Sequence, residues 1–169
     1  MDIRALIIET LVLIILFTFV TLRAAKDPLN VVYDMPQKII DRCADLGLIK
    51  ERRKTADRKT VIRKTAASIV FALLFAAMLY FINGARSFIM GAVLSYIIWT
   101  VIDWYDCIVL DWIIFCHNPK MIIPGTEDLK DAYKDYGFHA LGSLKGMLIG
   151  LPVAALTGFF VQLLTWISA

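Results

Sequence analysis

The sequence predicts an all-α integral membrane protein: a four-helix bundle with both termini outside and short amphipathic helices on the cytoplasmic side. Three observations predict it. Hydrophobic residues fill 59% of the 169 positions, with a mean hydropathy of +0.69, whereas a soluble domain runs near about 45–50% apolar. The apolar residues gather into four runs long enough to cross a hydrocarbon layer of about 30 Å. The 18 basic residues are distributed very unevenly between the connections. Together these features exclude a disordered chain, a disulfide-stapled secreted scaffold and a multidomain enzyme, and residues 1–169 are expected to form a single membrane domain.

The spans are expected at about 3–22, 66–82, 88–116 and 144–167, with cytoplasmic loops over 23–65 and 117–143. The first run carries Asp2 and Glu9 beside a single Arg4. Its apolar stretch is too long for a cleaved signal, so it is expected to be a retained helix. Glu9 lies within it as a lone acid, a proton site or, preferably, a hydrogen-bonding group inside the bundle.

Loop one contains twelve basic residues, from Arg23 to Lys64, and loop two adds Lys120, Lys130, Lys134 and Lys145. The other side keeps Arg4 and Arg86 alone. Lys and Arg stay on the cytoplasmic side of short loops, so both loops are expected inside and both termini outside. The setting this implies is a bacterial inner (cytoplasmic) membrane crossed several times, with anionic lipids drawn to the basic loop. No nucleic-acid motif accompanies the charges, and a nucleic-acid partner is not expected.

Within loop one, Asp27-Pro28 signals a turn, and Asp34-Met35-Pro36 starts a short helix. Ile39, Ile40, Cys43, Ala44 and Leu46 then recur at helical spacing, and Gly47 ends the helix. Lys50–Lys64 contains no Pro or Gly and is expected to continue as helix into span two. The connection Asn83–Ser87 is short enough to make spans two and three a tight hairpin. In loop two, His117-Asn118-Pro119 reads as a stop and Pro124-Gly125 as a turn. Thr126 reads as an N-cap, with Leu129, Ala132, Tyr133 and Tyr136 as one apolar stripe that Gly137 closes.

Span three carries the main functional signal. Asp103, Asp106 and Asp111 stand in a segment otherwise built of Ile, Val, Leu, Trp and Tyr, and an Asp at a helix centre costs about 2.5–3.5 kcal/mol to insert. Turned at about 100° per residue, these acids share an arc of about 160° with Ser95, Tyr96, Trp99, Thr100 and His117. Ile97, Ile98, Val101, Ile102, Ile108, Val109 and Trp112 take the other side. The acids are therefore expected to face the bundle or a polar cavity, as ligands for a cation, proton or polar head group with His117 nearby. Oxygen-rich sets suit a divalent cation such as Mg²⁺, Mn²⁺ or Ca²⁺, which makes Asp103, Asp106 and Asp111 the candidate metal ligands. Pairing with loop Arg and Lys residues in a structural network is the competing expectation.

Cys43, Cys107 and Cys116 have an odd count and irregular spacing, and are expected to be structural thiols in a reducing compartment. Span four carries Gly142, Gly146, Gly150, Ala154 and Gly158 at strict i+4 spacing, a stripe that lets helix backbones approach closely. Its partner is expected within the bundle, with a homo-oligomer as the alternative.

The run Asp106-Cys-Ile-Val-Leu-Asp111-Trp112, with Pro124-Gly125-Thr126-Glu127, Gly137-Phe138-His139 and Leu144-Lys145-Gly146, resembles a group of small bacterial polytopic membrane proteins. The resemblance covers roughly the second half of the chain and carries no catalytic role. It implies that Asp111, Glu127, His139 and Lys145 belong with the acids of span three.

The leading expectation is a small membrane protein with an acidic site at the cytoplasmic leaflet, serving ion or solute movement or a larger membrane complex. An enzyme acting on a lipid or isoprenoid head group is the alternative, with a divalent metal on the aspartates and His117 or His139 as acid and base. A structural scaffold built on the glycine stripe is the third.

Overall fold

The computed structural model describes residues 2–52 and 58–168, and among them there is no strand. The fold is all-α. Six α-helices follow in order: α1 (Ile3–Ala24), α2 (Gln37–Asp45), α3 (Arg58–Phe81), α4 (Phe88–Tyr105), α5 (Lys130–Tyr133) and α6 (Tyr136–Ile167). A π-helix, Asp106–Phe115, continues α4, and 3₁₀ turns occupy Pro28–Asp34, Pro119–Met121 and Glu127–Leu129. Among the described residues, four helices are long and apolar enough to cross a membrane: Ile3–Ala24, Val61–Phe81, Phe88–Phe115 and Tyr136–Ile167. The chain divides into two compact units, Met1–Ile14 with Asp57–Trp104 and Leu144–Ala169, and Ile15–Ala56 with Tyr105–Ser143.

The first unit joins parts of α1, α3, α4 and α6. Its core is Phe75, Ala76, Leu79 and Tyr80 of α3, Leu94 and Ile98 of α4 and Val161 of α6, with Leu6 and Leu13 of α1 packed against it. Small residues set the α4–α6 approach. A Cβ at Gly150 would meet the Trp99 ring, and one at Gly158 would meet the Phe88 carbonyl and Ala92. From the α4 side, a Cβ at Gly91 would come within 2.9 Å of Val161 Cβ and 3.1 Å of Gly158 Cα. Ala154 is buried between these contacts, and Trp99 donates its indole N–H to the Gly146 carbonyl at 3.1 Å. Gly142 has nothing within 4 Å, so the stripe is open at that end.

The α3–α4 connection is short, as the sequence predicts. Gly84 takes φ +69°, and Ala85 donates its N–H to the Leu79 carbonyl at 2.9 Å. Arg86 lies 3.8 Å over the Tyr80 ring and donates to the Tyr80 carbonyl at 2.6 Å. Glu9, buried, accepts a hydrogen bond from the Asn83 amide.

The second unit is built on Val32, Ile39, Cys43, Met121, Ile123 and Tyr133. Helix α2 has the expected limits, with Pro36 before its first turn and Gly47 at φ +71° after its last. Arg42 of α2 forms a two-pronged pair with Asp128, each contact 2.9 Å, and the guanidinium holds Asp128 below the usual carboxylate range. The Asp27 carboxylate caps the 3₁₀ turn by accepting the Leu29 N–H at 3.0 Å.

Four local expectations are corrected. Lys50, Glu51 and Arg52 are not helical, α3 begins at Arg58, and the Arg53–Asp57 part of the expected helix lies outside the described residues. Thr126 does not cap a helix with its side chain; it is fully buried and donates to the Ile123 carbonyl at 2.7 Å instead. Gly137 does not end a helix, because Asp135 accepts the Phe138 N–H at 2.9 Å and starts α6 eight residues before the expected span. Residues 106–115 wind as a π-helix, so the uniform 100° step does not hold there.

The α4–α6 contact predicts a sharp positional split. Gly150→Leu is expected to cost about 1–3 kcal/mol through overpacking against Trp99. Gly142→Ala, in open space, is expected to leave stability unchanged or raise it by up to about 1 kcal/mol. Thermal unfolding of the two variants in detergent checks this, and equal effects would contradict the packing described.

Candidate functional site

The second unit encloses a cavity of about 360 Å³. One wall is helix α1, through Phe17, Val20, Thr21 and Ala24. The 3₁₀ turn and the start of α2 contribute Val31, Asp34, Met35 and Pro36. The π-helix and the residue after it supply Asp106, Asp111, Phe115 and Cys116, and Met121, Tyr133 and His139 complete the lining. Most of the wall is apolar, and its polar groups are concentrated on Asp34, Asp106, Asp111 and His139. A concave, mainly apolar site with a few converging polar groups is the usual form of a small-molecule site, and the volume is at the low end of the about 300–1,000 Å³ such sites span.

The π-helix determines which side chains meet there. In an α-helix, residues five apart are separated by about 140° around the axis. A π-helix takes about 4.4 residues per turn, which narrows that separation to about 50°. Asp106, Asp111 and Cys116 are spaced by five, so the wider turn gathers them on one side. The backbone records it directly: the Cys116 N–H reaches the Asp111 carbonyl at 2.8 Å, five residues back.

Tyr136 fixes the start of α6 to this helix. Trp112 donates its indole N–H to the Tyr136 carbonyl at 3.2 Å, and their rings meet edge to face at 5.6 Å. The Tyr136 hydroxyl lies 3.3 Å from His117 Nε2, and His117 Nδ1 lies 2.8 Å from the Trp112 carbonyl. One helical turn beyond Tyr136, His139 comes to lie beside Asp111, with Nδ1 at 2.9 Å from Oδ2. Cys116 lines the same wall as this pair.

Behind Tyr133, one of the lining residues, lies a buried polar hub. The Tyr133 hydroxyl accepts the Ile123 N–H at 3.0 Å and shares a 2.7 Å hydrogen bond with Thr126, whose hydroxyl also reaches the Ile123 carbonyl. On the α1 side, Thr18 and Tyr105 are joined through their hydroxyls at 2.9 Å.

Of the residues singled out in the sequence, Asp106, Asp111 and His139 share this wall. His117 is exposed, serves the Tyr136 clamp and is not on the wall. Glu127 is also exposed, and its carboxylate accepts the Gly125 N–H at 2.9 and 3.1 Å; the backbone N–H groups of Glu127 itself and Gly125 hold it below the usual carboxylate range. Asp103 belongs to the first unit, where its carboxylate fills the space over Gly146, and Lys145 is exposed on α6. Among the described residues, no three His, Cys, Asp or Glu side chains are placed to hold one metal ion, so Asp103, Asp106 and Asp111 are not gathered as a ligand set.

Cys116 is the site residue that sequence reasoning missed. Its spacing from Asp111 is uninformative on an α-helix and becomes meaningful only on the π-helix. Cys43, by contrast, is sealed in the core of the second unit, and burial pushes its thiol up. Cys107 is also fully buried, and neither lines the cavity. Set against family models, curated proteins and solved structures, the chain matches none.

Tyr133→Phe removes the partner of a buried backbone N–H. It is expected to cost about 1–3 kcal/mol, read as a lower unfolding midpoint in detergent, while Thr18→Val at the half-buried hydroxyl pair costs less. A Tyr133→Phe variant as stable as the parent would contradict the hub.

Proposed function

We propose that this chain is a small multi-pass protein of the bacterial cytoplasmic membrane whose cavity binds the polar end of an amphiphile at the inner leaflet. The carrying observation is the two-sided wall of the cavity. Helix α1 supplies the apolar side and is itself almost wholly unburied: Ile7, Ile8, Leu11, Val12, Ile15, Leu16, Phe19 and Val20 are all exposed. Such a helix is solvated by lipid chains in a membrane. A ligand tail beside Phe17 and Val20 would stay in a lipid-like environment while its head group meets Asp106, Asp111 and His139.

The positive-inside pattern supports the placement, because loops 23–65 and 117–143, which hold most of the second unit, are also the two basic loops. Anionic lipid at those loops would hold the unit at the interface.

Native mass spectrometry of the purified chain, mixed with a bacterial phospholipid extract, tests the reading. A retained amphiphile is expected, and Thr21→Trp, which fills the cavity from α1, is expected to lower retention about tenfold, or ~1.4 kcal/mol. Asp106→Asn is expected to change which head group is retained. No retained amphiphile, or retention indifferent to Thr21→Trp, would overturn the proposal.

A further inference from the structure

We propose that Glu9 and Asn83 form a proton-binding site, in which Glu9 Oε1 carries a proton and donates it to Asn83 Oδ1, making a neutral acid–amide pair. The site lies in the first unit and is independent of the cavity. Glu9 stands on α1, and Asn83 in the turn that joins α3 to α4. Both residues are more than nine-tenths buried, Glu9 with 7% and Asn83 with 3% of its surface exposed.

Half of the pair is already made. The Asn83 amide donates an N–H to Glu9 Oε2. The remaining oxygen of each group, Glu9 Oε1 and Asn83 Oδ1, is buried without a hydrogen-bond partner. While the carboxyl is ionised both oxygens are acceptors, so neither can satisfy the other. One proton on Oε1 turns an acceptor into a donor, gives Asn83 Oδ1 the donor it lacks and removes the charge. A buried polar group left unpaired loses its water with nothing in return, and this single proton relieves both oxygens.

The surroundings offer the carboxyl no other compensation. Leu6, Glu9 and Leu13 recur at helical spacing, and the two leucines pack on the apolar core of the unit. Glu9 is the buried residue of α1, so the acid sits in the middle of the stripe that seats this helix. The charged and titratable groups on the packed elements are engaged elsewhere. On α1, Arg4 is exposed, as is Asp2, whose carboxylate accepts the Arg4 and Ala5 N–H groups at 2.9 and 3.3 Å. Arg86 lies 3.8 Å over the Tyr80 ring and donates to the carbonyls of Tyr80 at 2.6 Å and Ala85 at 3.0 Å. Among the described residues, no ion pair joins Glu9 to either arginine. Residues 65–82 on the α3 side offer Tyr80 alone as a titratable group, and α6 carries no charged residue beyond Lys145. Asp103 is about 22 Å along the helix from Phe88, the first residue of α4. A carboxylate taken out of water without a cation neutralises by taking a proton.

A metal cation fits the two oxygens less well. Among the described residues, no three His, Cys, Asp or Glu side chains are placed to hold one. Two oxygens also fall well short of the about 6–8 that Ca²⁺ takes.

The test uses the full chain in nanodiscs of phosphatidylethanolamine and phosphatidylglycerol at pH 7, read by infrared spectroscopy. A protonated carboxyl shows a carbonyl stretch that an ionised carboxylate lacks. Besides Glu9 the chain has Glu51 and Glu127, both exposed. Placing ¹³C at the glutamate carboxyls is expected to shift one such band in the unsubstituted chain, and Glu9→Gln is expected to remove it. Asn83→Leu is expected to move the band to higher frequency, as the acid loses its hydrogen-bond partner. Dicyclohexylcarbodiimide, an apolar reagent that adds to protonated carboxyls, is expected to label Glu9 in preference to Glu51 and Glu127, as read by peptide mass spectrometry. Glu9→Gln puts an amide where the neutral acid stands, and its unfolding midpoint is expected to match the parent. An unsubstituted chain without a ¹³C-shifted carboxylic band would overturn the proposal whether or not the variants fold, and so would a band that survives Glu9→Gln. Labelling of Glu9 suppressed by sodium chloride but not by choline chloride would assign the two oxygens to a metal cation and overturn it as well.

Discussion

The second unit depends on one backbone hydrogen bond type. When the Cys116 N–H reaches back five residues to the Asp111 carbonyl, the helix widens, and side chains spaced by five come around to one side. Ordinary α-geometry would turn Asp111 and Cys116 well away from each other. The Trp112–Tyr136–His117 clamp then ties the beginning of α6 to this helix and sets His139 against Asp111. Winding, clamp and dyad thus form one causal sequence from backbone to chemistry.

The two units use different physics. In the first, lipid supplies no hydrophobic drive between helices, and close approach is gained through small residues, with Gly150 and Gly158 backed onto α4 and Gly91 onto α6. The second relies on a small apolar core together with polar satisfaction: Tyr133 and Thr126 pair the buried Ile123 backbone groups, and Arg42 grips Asp128 at the surface. The surface pair is exposed and contributes little to stability. The buried hub is the more consequential, because each of its members would otherwise lose its water without a replacement partner.

Much of this was legible in the sequence. Apolar run length located four helices long enough to span a membrane, and Pro36 and Gly47 marked the limits of α2, because these signals are local. The i+4 glycines announced a tight face, and their spacing is meaningful on any α-helix. What escaped was non-local. A π-helix has no composition of its own, so the phase of Asp111 against Cys116 was not readable, and Cys116 passed for a structural thiol. Thr126 resembled a cap by type, but its hydroxyl is claimed by Tyr133, a partner only the fold supplies. Asp135 did carry a local signal, an acid three residues before the first helical N–H it caps, and Gly137 drew the eye away from it.

The central claim is that the start of α6 seats His139 against Asp111. The chain has 2 histidines, so ¹⁵N NMR of histidine-labelled protein in nanodiscs can read the two rings separately. The account predicts that Asp111→Asn moves the Nδ1 resonance of His139 far more than any resonance of His117. A His139 spectrum indifferent to Asp111→Asn would contradict it.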